Sequence, residues 1–217
     1  MYKVDLHTHS IISHDGGITK KQYISLLNEG VLDYIAITDH HETGFARALQ
    51  KELGDKIIVG EEIKTTEGEI IGLFLNKTIP GGLTLKETVN EIKAGGGLVY
   101  IPHPFETVRH GLQEDAISSI IKDVDILEAF NARGIYRDKI EKVDQLVKRE
   151  KLTVSASSDA HCKSGIGSAF SNIKQIPNRD SLIRLLKQGT LQKKYAPWYS
   201  LFCPGFNTIK NKLVLGV

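Results

Sequence analysis

Asp5-Leu6-His7-Thr8-His9 follows directly on a short apolar run. In an extended strand residues two apart project to the same face, so His7 and His9 aim two imidazoles at one point from the end of a buried strand. Alone, the pair is half a metal site or an ordinary polar strand end. Four further clusters repeat it: Thr38-Asp39-His40-His41, Gly60-Glu61-Glu62-Ile63, Pro102-His103-Pro104 and Ser158-Asp159-Ala160-His161. Each follows an apolar, β-branched run that reads as a buried strand. His, Asp and Glu at so many strand ends imply strands that converge.

Periodicity alternates between strand-like and helix-like along the chain. Strands are expected at 3–6, 34–38, 56–59, 70–75, 97–101, 126–130 and 152–156. Helices are expected at 19–29 (stopped by Gly30), at 43–54, from the capping box Thr84-Leu85-Lys86-Glu87 to Lys93, at 136–150 and at 178–188. Repeated strand–helix units with nearly continuous apolar strands predict an α/β fold, a parallel sheet covered by helices and closed as a barrel. The segment 62–75 breaks the rhythm, because Thr65-Thr66-Glu67-Gly68 reads as a hairpin turn. One domain is expected over 1–195. The extension 196–217, aromatic and broken by Pro197, Pro204 and Gly205, is expected to pack on the barrel, with an oligomer contact as the alternative.

A chain of 217 residues, 41% of them hydrophobic, can bury one substantial core. With 28 basic and 26 acidic residues the net charge is +2, so any polyanion contact must be local. No apolar run approaches the roughly 20 residues that span a bilayer, and Met1-Tyr2-Lys3-Val4-Asp5 begins at once with structure, so no membrane association and a cytoplasmic location are expected. Cys162 and Cys203 make no disulfide framework or zinc ribbon and are expected as free thiols, Cys162 as a buried spacer beside Asp159 and His161.

The chemistry follows from the donors. In a β/α barrel the carboxyl ends of the strands build the active site. Mixed imidazole nitrogen and carboxylate oxygen suits zinc, manganese or iron, and the absence of thiolate argues against a structural zinc. Several divalent cations side by side activate water for phosphoester hydrolysis. The run Gly95-Gly96-Gly97 precedes a strand and reads as a helix stop, not as a phosphate loop.

Taken together, His7-Thr8-His9, Ser13-His14-Asp15-Gly16, Thr38-Asp39-His40, Gly60-Glu61-Glu62-Ile63, His103-Pro104 and Ser158-Asp159-Ala160-His161 resemble the PHP (polymerase and histidinol phosphatase) family over Tyr2 to about residue 175. The resemblance implies a distorted (β/α)7 barrel, TIM-barrel-like, holding two or three divalent metal ions (Mn, Zn or Fe) and acting as a phosphoesterase. It implies one metal on His7, His9, Glu62 and Asp159, a second bridged by Glu62 and held by His103, and a third on Asp15, His40 and His161. Where many members carry a histidine, this chain has Glu69 in Glu69-Ile70-Ile71-Gly72. Glu69 supplies an oxygen ligand, or the second site is left open.

Arg109 and Arg133 match positions that the family tends to keep basic, and arginine grips phosphate as a planar fork; the alternative for each is a surface cation or salt bridge. Asn131 stands at a strand end as a hydrogen-bonding residue for substrate or ligand, while His14, His41 and His110 receive no assignment. The expected function is hydrolysis of a phosphoester of a small phosphorylated metabolite or nucleotide. The alternatives are an exonuclease on short nucleic acid ends and a non-catalytic metal-binding module.

Overall fold

The computed structural model describes residues 1–135 and 139–215. Seven strands follow the expected places: β1 (Tyr2–Asp5), β2 (Tyr34–Ile37), β3 (Ile57–Lys64), β4 (Glu69–Leu73), β5 (Leu98–Ile101), β6 (Ile126–Asn131) and β7 (Val154–Ser157). Two more, β8 (Phe170–Ile173) and β9 (Thr190–Gln192), extend the sheet past β1 to give the order β7-β6-β5-β4-β3-β2-β1-β8-β9. The helices are α1 (Lys20–Asn28), α2 (Gly44–Leu53), α3 (Leu85–Ala94), α4 (Glu114–Ile120), α5 (Ile140–Glu150), α6 (Leu182–Lys187) and α7 (Cys203–Leu215). The fold is thus α/β with a nearly closed, barrel-like sheet. No helix among the described residues is long and apolar enough to cross a membrane.

The rhythm breaks where the hairpin turn was expected. β3 and β4 pair antiparallel through the turn at Thr65–Gly68, and β4 also runs antiparallel to β5, while β1–β2, β2–β3, β5–β6 and β6–β7 are parallel. The strand count exceeds the seven of the expected barrel because β8 and β9, short and partly polar, add an antiparallel pair beside β1. The capping box forms as expected: the Thr84 hydroxyl accepts from the Glu87 N–H, and the Glu87 carboxylate accepts from the Thr84 N–H at 2.9 Å. The helix expected over 136–150 begins at Ile140, and 136–138 lie outside the described residues. Neither α4 nor α7 was expected.

Strand alternation sorts the buried side chains into two layers. Ile35, Ile37, Ile57 and Val59 pack outward with Tyr23, Leu26 and Leu49 of the covering helices. Val4, Tyr34, Ala36, Ile58, Ile71 and Tyr100 form the other cluster with Leu182, Leu185 and Leu186 of α6, which seals the barrel interior. Closure is completed by backbone. Beyond their strand ends, β1 and β7 meet in a parallel bridge at Thr8 and Ala160, where the His9 N–H donates to Ala160 O and the Asp159 N–H to His7 O, both at 2.9 Å. Further down, β8 takes the gap, and the Ala156 N–H donates to Ser171 Oγ at 3.2 Å. Cys162 and Cys203, expected as free thiols, are joined in a disulfide between the loop after β7 and the first residue of α7. Far apart in sequence, they carried no sign of the pairing, which depends on where the extension folds.

Glu61 and Glu62 point to opposite faces of β3. Glu61 is buried away from the centre, its Oε2 accepting from the Ile79 N–H at 2.9 Å and its Oε1 lacking a partner among the described residues. Burial, only partly offset by that bond, pushes its carboxyl up from 4.5 to about 7. Between those values the unfolded chain has released a proton that the folded chain retains, so Glu61 lowers stability as pH rises through this window, by on the order of 3 kcal/mol. Glu61→Gln, with no proton to lose, should gain stability relative to the wild type between pH 4.5 and 8. Denaturant midpoints of both proteins at the two ends of the range check this; a constant difference would refute it.

Candidate metal centre

The extended chain beyond β1 delivers His7 and His9 to one face, their Nε2 atoms 3.1 Å apart. Glu62 Oε2 lies 3.3 Å from the first and 3.2 Å from the second, and Asp159 Oδ1 lies 3.7 and 3.6 Å from them. Four donors therefore face one point, and two imidazole nitrogens so close are compatible only with a shared proton or cation. Glu62 Oε1 turns the other way, 3.0 Å from His103 Nε2, so one carboxylate spans two groups. Nearer the opening, Asp15 Oδ2 is 3.0 Å from His161 Nε2, and Asp15 Oδ1 is 3.7 Å from His40 Nε2. The donors gather into three sets: His7, His9 and Asp159; His7, Glu62 and His103; His9, Asp15, His40 and His161.

Against the expected grouping, Glu62 is absent from the first set, His7 joins Glu62 and His103 in the second, His9 joins Asp15 in the third, and Glu69 enters none. Glu69 still reaches the centre. It begins β4, whose reversed direction brings its first residue to the face where the parallel strands end, and Oε2 stands 3.8 Å from His103 Nε2. Burial and the neighbouring charges of Glu62 and Asp159 push its carboxyl up to about 9. Two donors sit on left-handed backbone, His103 at φ 28° and Asp159 at φ 50°, conformations that cost energy outside glycine and that cluster at functional sites.

Electrostatics divide the donors. Burial lowers both His161, with help from Arg133 and His9, to about 4, and His40 to about 3, which leaves uncharged imidazoles. Burial lowers His7 too, but Asp159, Glu62 and Glu128 outweigh it and hold His7 well above the usual range. Burial raises Asp159, while Arg133, His7 and Arg109 overcome it and keep the carboxylate ionised. Arg109 Nη1 donates to Asp159 Oδ2 and, at 3.0 Å, to Asn131 Oδ1. Arg133 Nη1 lies 3.1 Å from both Asp159 Oδ1 and His161 Nδ1. Among the described residues, Arg109 Nη2 and Arg133 Nε are buried without a partner.

Glu128 was missed by sequence reasoning. It lies fully buried on β6, with Oε1 3.1 Å from His7 Nδ1 and accepting from Tyr100 OH at 2.8 Å, while Oε2 accepts from the His103 N–H at 2.6 Å and Asn131 Nδ2 at 2.8 Å. A lone acid inside the apolar Ile126-Leu127-Glu128-Ala129-Phe130 was the available signal. All of the donors except the fully buried His7 and His9 line a cavity of about 290 Å³ together with Arg109 and Arg133, and the unassigned His14, His41 and His110 stand at it with Lys64, also missed.

Comparison with known proteins agrees with this geometry. Residues 139–191 match the family model described as PHP-associated. An uncharacterized protein of Methanocaldococcus jannaschii is 36% identical over 149 residues, 61% of this chain and 85% of that one; a second from the same organism is 30% identical over 181 residues, 80% of this chain and 71% of that one. Among solved structures, a two-domain protein from Bacteroides vulgatus containing a predicted PHP-like metal-dependent phosphoesterase superposes with TM-score 0.71 at 17% identity, over 95% of this chain and 69% of that one. A lesion-specific endonuclease from Pyrococcus furiosus gives TM-score 0.62 at 17% identity, over 88% and 57%. At such identities these two likenesses concern the fold.

Because only Glu62 faces the donors, Glu62→Gln should strip bound metal while Glu61→Gln leaves the metal content as it is; elemental analysis after reconstitution decides, and the reverse outcome would mean the strand is read one residue out of register. Glu128→Gln should keep the fold but weaken metal binding about 10- to 100-fold, the usual effect of losing the carboxylate that orients a ligating histidine. Equal affinity in the two proteins would remove Glu128 from that role.

Proposed function

This chain belongs to the PHP-domain family, and from that premise we propose that it is a metal-dependent phosphoesterase for a small phosphorylated metabolite or nucleotide. His7, His9, Asp15, His40, Glu62, Glu69, His103, Asp159 and His161 are the ligands of two or three divalent cations in this reading, and Arg109 and Arg133 the phosphate-binding residues. The observation that carries it is the convergence of the His7 and His9 Nε2 atoms, 3.1 Å apart, on Glu62 and Asp159 beside two guanidinium groups. A proton alone would leave this many buried carboxylates uncompensated, whereas nitrogen and oxygen donors in this mixture suit manganese, zinc or iron. When bound, such cations would activate a water and neutralise charge developing at phosphorus.

The protein's own residues divide the remaining work. Glu128 fixes the ring of His7, so that its Nε2 faces the centre. Arg109 and Arg133 hold Asp159 ionised and both line the cavity, where phosphoryl oxygens would meet planar guanidinium groups. The cavity, about 290 Å³, accommodates a phosphate with a modest leaving group. A second reading, cleavage of a diester at a nucleic acid end, is favoured by a shallow recess of about 300 Å³ that shares Lys64 and His110 with the main cavity.

The test is a screen of phosphorylated metabolites, dinucleotides and short oligonucleotides with Mn²⁺- or Zn²⁺-loaded protein. Turnover that a chelator abolishes is expected; no turnover of any phosphoester by the loaded wild type would leave a non-catalytic metal-binding module. Arg133→Ala should lower kcat/KM by about 2–4 kcal/mol, with Arg133→Lys recovering part, since lysine keeps the charge without the fork. Metal analysis of the same preparations separates lost phosphate grip from lost support of Asp159. Unchanged kcat/KM after removal of both arginines would place phosphate recognition elsewhere.

A further inference from the structure

The helix α7 touches the centre from outside. Asn207 Nδ2 donates to the backbone carbonyls of Asp15 and His161, both at 3.0 Å, and Asn211 Nδ2 donates to the His14 carbonyl at 3.1 Å. One amide thus staples the loop after β1 to the loop after β7, the two loops whose side chains Asp15 and His161 face each other at 3.0 Å. The approach is close: a Cβ on Gly17 would stand 2.7 Å from Asn207 Nδ2. The disulfide makes the same connection covalently, since Cys162 follows His161 directly and Cys203 opens α7. Apolar packing adds little, for Phe206, Ile209 and Leu213 are 67%, 63% and 81% exposed. Amide-to-carbonyl bonds at a partly wet surface are individually weak, so the covalent tie is what makes this docking persist.

We propose that α7 is a working part of the metal centre: Asn207 is a positioning residue for the Asp15–His40–His161 donor group, and the Cys162–Cys203 disulfide holds it in place, so that metal affinity at this group follows the thiol redox state. A dithiol reductant would operate the switch. One of its thiolates attacks a disulfide sulfur and expels the other cysteine as thiolate; its second thiol then displaces the remaining cysteine, leaving two protein thiols and an oxidised reductant. The helix, no longer tethered, releases the two loops. The inference rests on the metal reading above.

The experiment measures Mn²⁺ binding by equilibrium dialysis to four forms of the full chain: oxidised, dithiol-reduced with the reductant removed, Cys203→Ser, and Asn207→Asp, which keeps the shape and disulfide but loses the donor. Mn²⁺ is chosen because a freed thiolate has little affinity for it. The oxidised wild type should hold one Mn²⁺ more tightly than the other three forms, by about 10- to 100-fold. Backbone amide exchange around Asp15 and His161 should quicken on reduction even without metal. Equal Mn²⁺ affinities in all four forms would overturn the proposal while leaving the metal reading intact; no Mn²⁺ bound by any form would overturn both.

Discussion

The structure depends on the short parallel bridge by which the chain beyond β1 meets the chain beyond β7. Two backbone hydrogen bonds, from His9 N–H to Ala160 O and from Asp159 N–H to His7 O, interleave the first donor segment with the last. Side chains on such a bridge alternate faces, so His7, His9, Asp159 and His161 are placed together by pairing geometry before any of their own interactions form. Of the remaining donors, His40, Glu62 and His103 come from β2, β3 and β5, Glu69 opens β4, and Asp15 stands in the loop after β1. Barrel closure and assembly of the centre are thus one event.

That event is expensive without cations. Glu62, Glu128 and Asp159 are buried within reach of His7, and Glu69 within reach of His103. Desolvating so many ionisable groups opposes folding, and the cost is offset by a raised proton affinity at His7 and Glu69 and by two arginines. Binding of divalent cations would displace those protons, so metal affinity and stability draw on the same interactions.

What the sequence made legible was whatever rests on local periodicity: seven strand positions, the hairpin at Thr65–Gly68, the Thr84 capping box and the donors at the strand ends. Glu128 escaped because its role comes from His7, Tyr100, His103 and Asn131, residues distant in sequence that meet only in the closed barrel. β8 and β9 escaped because a strand held between neighbours needs little apolar pattern of its own: Phe170-Ser171-Asn172-Ile173 is half polar. α7 escaped because its hydrogen bonds toward the centre come from Asn207 and Asn211, a contact that no apolar stripe announces, and the disulfide depended on that placement.

Three carboxylates give the centre its rigidity by dividing their oxygens. Glu62 turns Oε2 to His7 and His9 and Oε1 to His103. Asp159 turns Oδ1 toward the same pair and Arg133, and Oδ2 to Arg109 and Asn131. Glu128 holds His7 and Tyr100 with one oxygen, and the His103 backbone and Asn131 with the other. A carboxylate accepts on both sides, whereas an amide has one accepting oxygen and must aim its NH₂ at the other partner. At Glu128 and Asp159 that partner is often itself a donor, and the repulsion would spread to whichever donor group shares the residue. Each acid therefore couples two neighbours, which makes the centre a single network rather than a sum of separate sites.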